Sequence, residues 1–304
     1  MKKFSPILVL LAGVFWGTSG FFVKNLGFLG FDSFEIVFLR MLFASIAIAI
    51  FYLITDRKAF KIRLKDIWVF IGSGILGIFC CGLFLFIAQA RASLATACIL
   101  YYTMLIFVPI FAVIIFKEKL TPKKIIGLVV TFVGCVLCCY ESGGKPLDFV
   151  TILIGTLSGF SYALYSIFSK IAINKKYSSE TILLYSLIFA CIGSCFVTPF
   201  DKLIVNVQQT SPYMWYVLGV ALVSTVAPYC LFTVGLKNVE NSTASILCSV
   251  EIVMSLILGL IFFSEIPSVL KIVGIILVIG SVVYVNLDTS KIKLLNKKKE
   301  INND

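Results

Sequence analysis

The chain has 304 residues, 60% of them apolar and 13% charged, with no histidine and a formal net charge of +11. A soluble domain runs at about 45–50% apolar and about 25% charged, so one water-facing core cannot hide this much apolar surface. Composition therefore excludes a soluble protein and predicts an integral membrane one.

In chain order, charge-poor stretches run over 4–23, 36–55, 67–90, 92–116, 125–140, 149–169, 181–200, 203–236, 241–264 and 272–287; only Arg40 and Glu251 interrupt them. A hydrocarbon layer of about 30 Å takes about 20 residues of helix at about 1.5 Å each, which is the length of nearly every stretch. Asn206, Gln208, Gln209 and Pro212 delay the start of the eighth helix to near Tyr213. The first stretch follows Lys2 and Lys3 as a signal peptide would. It carries bulky Phe21 and Phe22 and no small-x-small cleavage site, so it is read as a retained helix. The expected fold is all-α integral membrane, with ten transmembrane helices.

Alternating the loops from a cytoplasmic N-terminus places 20 Lys and Arg on the inner side and 5 on the outer side. That asymmetry puts both termini in the cytoplasm of a bacterial-type inner membrane. The positive charge thus reads as topology, and no nucleic-acid partner is expected.

The two halves repeat. Ala-Thr-Ala-Cys-Ile-Leu at 95–100 returns as Ser-Thr-Ala-Ser-Ile-Leu at 242–247, an offset of 147 that also carries Glu118 onto Glu265 and Gly127 onto Gly274. Gly13, Trp16 and Lys24 fall on Gly159, Tyr162 and Lys170 at an offset of 146. Five helices per copy is an odd number, so the second copy enters from the opposite side and the repeats are inverted. The expected units are 1–141, an inverted 148–288 and a basic cytoplasmic tail 289–304. Inverted repeats characterise secondary transporters with a midplane site between the halves.

The run Gly-Val-Phe-Trp-Gly-Thr-Ser at 13–19 resembles the first-helix signature of the drug/metabolite transporter superfamily, EamA branch, and Phe-Leu-Arg-Met-Leu-Phe-Ala at 38–44 resembles that of its second helix. Lys-Glu-Lys-Leu-Thr at 117–121 with Gly127 and Gly134, and Ser-Glu-Ile-Pro-Ser at 264–268 with Gly274, match the ends of its halves. The resemblance implies carriage of small organic solutes, often outward, by two EamA-like five-helix repeats. Two positions depart from it. The family's Glu-Pro in the ninth helix is Glu251-Ile252 here, which removes the usual reason for a kink, and Ser281 stands where Gly134 predicts a glycine.

Several motifs are discounted. Gly72-Ser-Gly74-Ile-Leu-Gly77 fits a dinucleotide fingerprint, but inside an apolar span its small residues serve helix packing. The same reading applies to Gly13-x-x-x-Gly17 and Gly155-x-x-x-Gly159. Cys135-x-x-Cys138 reads as two buried cysteines without a second ligand pair. No phosphate-binding loop occurs and no span holds paired carboxylates, so no cofactor, metal or catalytic residue is expected.

What remains is polar groups that are expensive in lipid. Glu251 lies about 15 Å into the ninth helix, at the midplane, where it can bind a cationic group or exchange a coupling proton. Tyr101, Tyr102 and Thr103 flank its repeat partner, Met104. Trp16 and Ser19 correspond to Tyr162 and Tyr165, which share one helical face; with Tyr229 they form candidate walls for a planar or cationic solute. Substrate contact is thus expected at Glu251, Trp16, Ser19, Tyr101, Tyr162, Tyr165 and Tyr229. Structural or gating roles are expected at Arg40, read as a structural ion pair or interface anchor with Glu35 near it, at the helix-end lysines Lys24 and Lys170, and at the loop-edge acids Glu118 and Glu265.

The sequence is therefore read as a secondary transporter of an amino acid, amine or drug-like metabolite, working by alternating access and exporting. A proton-coupled importer or exchanger of a quaternary amine is the alternative. A membrane-embedded enzyme on lipid substrates would need carboxylate or histidine clusters, and a sensor would need no midplane acid. The expected partners are the solute, a possible coupling proton and membrane lipid; the state is monomer or homodimer.

Overall fold

A computed structural model describes residues 4–91, 94–139, 148–209, 213–263 and 268–286, and among these every regular element is helical. The first copy begins with α1 (Ser5–Gly17) and α2 (Ser19–Phe28), which meet at Thr18. The Thr18 hydroxyl bonds back to the Phe15 carbonyl at 2.7 Å, a local contact that competes with the helical ladder. α3 (Ser33–Thr55) opens on a capping box in which Asp32 and Glu35 satisfy each other's backbone amides. The third span is α4 (Ile67–Ile71), a π-helical segment Gly72–Phe79 and α5 (Cys80–Arg91). The fourth is broken into α6 (Leu94–Tyr101) and α7 (Met104–Phe116), and α8 (Pro122–Cys139) closes the copy.

The second copy repeats the plan with α9 (Phe149–Asn174), α10 (Ser179–Cys195) and α11 (Phe200–Gln209). Next comes α12 (Tyr213–Leu218), which runs through a π-helical segment Gly219–Val226 into α13 (Ala227–Gly235). α14 (Asn241–Cys248) and α15 (Val250–Phe263) form another broken helix, and α16 (Val269–Asn286) ends the described chain. The two π-helical segments sit at the 147-residue repeat offset, as do the two breaks.

Among the described residues seven helices are long and apolar enough to cross a membrane, or up to eight if the bent pair α10–α11 is one span. The difference from ten has physical causes. Pro199 cannot continue α10 as a regular helix and disfavours helical backbone at Thr198, and α11 leaves at 103°. There Asn206 donates to the Glu35 carboxylate at 3.0 Å. The described parts of α8 and α16 are 18 residues each, against 20–26 for the seven spans, and they pack on one another.

The packing pairs reflect the repeat. α1 lies against α13, α14 and α15, whereas α9 lies against α5, α6 and α7 together with the first π segment. α3 packs on the second π segment and α10 on the first, while α3 meets α10 directly. Buried hydroxyls tie these contacts: Ser73 with Ser186 at 2.6 Å, Thr18 with Ser224 at 2.8 Å, and Thr131 with Ser281. Ser281, at the position where the repeat predicts glycine, is therefore a tie between α8 and α16. Such interhelical bonds contribute about 0.6 kcal/mol each on average.

Candidate functional site

The site is built around the two broken helices. Gly13 of α1 sits so close to α14 and α15 that an added Cβ would lie 2.7 Å from the Cys248 carbonyl oxygen. Gly159 of α9, its repeat counterpart, would meet the Tyr101 carbonyl oxygen at 2.5 Å. Each glycine thus brings an unbroken backbone against a break in the opposite copy. The ninth helix breaks at Ser249 without a proline: the Ser249 hydroxyl bonds back to Ile246 at 2.6 Å, as Thr103 does to Leu100 at 2.6 Å in the fourth. The helix is thus interrupted although Ile252, and not proline, follows Glu251.

Between the breaks the aromatic residues converge. Trp16 packs edge to face on Tyr229 at 5.2 Å and on Tyr162 at 6.0 Å between ring centroids. Tyr162 continues to Tyr101 at 5.8 Å, and Tyr165 meets Tyr229 at 5.0 Å. Edge-to-face pairs at these distances contribute about 0.5–1.5 kcal/mol each beyond burial. The rings touch one another, so the cluster is closed as it stands. The Tyr165 hydroxyl pairs with Thr233 at 3.1 Å, while the Tyr162 hydroxyl, buried beside Cys248, finds no oxygen or nitrogen partner among the described residues.

Glu251, the second residue of α15, receives the Tyr102 hydroxyl at 3.3 Å. It stays partly accessible. Tyr101, Tyr162, Tyr229, Cys81 and Cys248, from five different elements, all lie within its electrostatic reach, so the carboxylate faces the bundle interior. A carboxylate beside electron-rich ring faces is chemistry that attracts a cation. Sequence reasoning did not single out Tyr102 or Phe232 as site residues. Phe232 packs on Trp16 at 5.4 Å and on Tyr165 at 5.8 Å; its position three residues after Tyr229, on the same helical face, was the available signal.

The remaining candidates lie outside this cluster. Ser19, one residue past the Thr18 turn, makes no hydrogen bond with the described residues; Thr18 supplies the cross-helix contact there. Arg40 does not pair with Glu35, which is occupied by the Asp32 amide and the Asn206 side chain. Residues five apart point to different faces of a helix, which is why that expected neighbour is not a partner. Lys24 stands 3.9 Å over the Phe263 ring. Lys170 donates to the carbonyls of Leu236 at 2.6 Å and Val239 at 3.1 Å, capping the end of α13. Glu118 reaches the start of α14, accepting from the Asn241 amide at 3.0 Å and the Ser242 hydroxyl at 3.0 Å, so it is a cap and not merely a solvated loop edge. Beside it Lys124 pairs with Glu240. Glu265 lies outside the described residues.

Comparison with known proteins agrees with this architecture. An uncharacterized transporter of Archaeoglobus fulgidus is 24% identical over 92% of this chain and 95% of its own length. The uncharacterized transporter YdfC of Bacillus subtilis is 25% identical over 87% of this chain and 85% of its own. An uncharacterized transporter of Clostridium kluyveri is 25% identical over 93% of both. A solved structure superposes with a TM-score of 0.79 over 96% of this chain and 99% of its own, at 16% identity, a likeness of fold. The EamA-like transporter family model matches twice, over residues 3–140 and 149–287, once for each copy. This chain, a multi-pass membrane transporter, belongs to the EamA-like transporter family.

Proposed function

We infer that the protein is a secondary carrier of small organic solutes, working by alternating access around Glu251 and the aromatic cluster. The observation that carries this reading is a carboxylate just past the break of the ninth helix, partly accessible and held by the Tyr102 hydroxyl, set among rings from both copies. The copies, 1–141 and 148–288, are inverted. Contact register supports this: Gly13 and Gly17 of α1 meet Cys248 and Glu251 in the same order, so those helices run parallel. Gly155 and Gly159 of α9 meet Leu100 and Tyr101 likewise. The fourth and ninth helices, in contrast, run oppositely, since Glu118 contacts Asn241 while Tyr102 contacts Glu251. The first and sixth helices are therefore antiparallel. The described lengths of α8 and α16, about 27 Å each by helical rise, support reading both as crossings; on that reading there are ten spans, and the termini with the 289–304 tail face the cytoplasm.

Because the rings touch, a solute enters when α1 and α13 part from α9, and differential binding to the two open states shifts their populations. The acid among rings favours solutes with an amine or an aromatic ring, moved outward in a bacterial inner membrane. The same acid supports the proton-coupled exchange or uptake of a cationic metabolite as a second reading.

The test is uptake of labelled 2-phenylethylamine and labelled amino acids into proteoliposomes, with and without a pH gradient. Wild-type protein is expected to accelerate uptake of one of them, and Glu251→Gln to lower it by roughly tenfold or more, or remove its pH dependence, at unchanged protein yield. Unchanged uptake together with unchanged pH dependence would end the role of Glu251.

A further inference from the structure

Arg40 belongs to α3. It lies seven residues into α3, about 10 Å below that helix's outer end by helical rise. A surface anchor would extend its guanidinium to the interface. Here the residue is partly buried, and its Nε is fully buried without a hydrogen-bond partner among the described residues. One terminal nitrogen lies against α5, where an added Cβ on Gly82 would stand 3.4 Å from it, so the small residue leaves room for the guanidinium. Tyr229 and Cys81 lie within electrostatic reach of Arg40 and equally of Glu251. Both the partly buried cation and the partly accessible acid thus act on Tyr229.

A guanidinium cannot shed its proton to escape burial, and an unpaired buried charge is costly. Paired carboxylates are the ordinary answer to that cost. The nearest in sequence, Glu35, is already occupied by Asp32 and Asn206. By depth, Glu251 lies about 15 Å from the inner start of its span at Asn241, so across a layer of about 30 Å the two charges are offset by about 5 Å along the membrane normal. That offset fits one small molecule bearing opposite charges a few bonds apart.

The geometry points to Arg40 as the anion subsite of the central site: its guanidinium holds a carboxylate of the solute while Glu251 and the rings hold the amine or aromatic end. This rests on the carrier reading above and narrows it to solutes that carry a carboxylate.

Three matched probes separate the ends of the site: 3-phenylpropionate with only the carboxylate, 2-phenylethylamine with only the amine, and phenylalanine with both. Their dissociation constants are measured on the purified full chain for the wild type, Arg40→Gln, Arg40→Lys and Glu251→Gln. Arg40→Gln is expected to weaken the two carboxylate probes by roughly tenfold or more and the amine probe by less than about twofold, as loss of a charge-assisted hydrogen bond predicts. Arg40→Lys, which keeps the charge and loses the fork, retains part of the affinity. Glu251→Gln gives the opposite pattern, sparing 3-phenylpropionate. Equal weakening of all three probes by Arg40→Gln makes Arg40 structural and overturns the inference. So does a wild type that binds the amine alone, or none of the three. Proteoliposome uptake with Arg40 intact decides the carrier reading separately.

Discussion

The two broken helices share a backbone plan and differ in chemistry. In the first copy the break presents Tyr101, Tyr102, Thr103 and Met104; in the second, at the same offset, it presents Cys248, Ser249, Val250 and Glu251. Both are stapled by a hydroxyl bonding back one turn, and both are pressed on by a glycine of the other copy. What is shared is the scaffold, set by small residues and backbone. What diverges is the side chain just past the break: Met104 is fully buried, whereas Glu251 stays partly accessible with Tyr102 as a donor. One copy supplies the acid and the other supplies the hydroxyl that holds it.

The largest effect is expected where the scaffold is shared. Valine at Gly13 or Gly159 drives a Cβ to within 2.7 Å or 2.5 Å of a backbone oxygen that cannot swing aside. Gly13→Val and Gly159→Val should therefore each cost at least about 1–3 kcal/mol and reduce the monodisperse fraction on size exclusion. Gly280→Ala is the control, since an added Cβ there meets nothing within 4 Å. If only one of the first two variants loses folded protein, the copies do not share this contact as a common structural requirement.

That shared scaffold was legible in the sequence in part. Charge-poor stretches and repeated residues at offsets 146 and 147 gave the helical copies and the residues that meet at the centre. The two π-helical segments were not legible, because Gly72–Phe79 and Gly219–Val226 have in common little more than small residues at their crossings. Nor was the break at Ser249, which a serine makes locally where proline was the expected cause. Arg40 was assigned to Glu35 by closeness in the chain, but capping had already committed that acid to the start of α3. Side-chain partners across helices depend on register between distant segments, and a single sequence does not encode that in any periodic signal.

A smaller effect tests the divergent half of the comparison. Tyr102→Phe removes the hydroxyl that holds Glu251 but keeps the ring. It should cost about 0.5–1.5 kcal/mol, seen as a roughly two- to tenfold rise in apparent KM for uptake with little change in stability. Met104→Leu, a swap at the fully buried position equivalent to Glu251, should leave KM within about twofold, because volume-conserving apolar exchanges are tolerated. An equal rise from both variants would mean that the first copy's break contributes shape alone and that the carboxylate does not depend on its donor.

The smallest effect concerns the junction of third and sixth spans against its repeat partner. Arg91 donates to Thr151 at 3.2 Å and pairs with Asp148 at 3.0 Å; in the other copy, at equivalent positions, Asn238 donates to Ser5 at 3.0 Å, a bond between two neutral side chains. The Thr151 hydroxyl, and then Arg91, hold the Asp148 carboxyl below its ordinary value. A carboxyl lowered in the folded state adds stability above its unfolded value and loses it as pH falls through the folded one. The Arg91→Gln destabilisation should therefore be small at neutral pH, as for other exposed pairs, and vanish on acidification. Any Asn238→Ala destabilisation should stay constant over the same range, since neither member of that pair titrates. Thermal melts of the two variants against wild type across that range check the contrast, and a matching acid dependence in Asn238→Ala would remove Asp148 as its source.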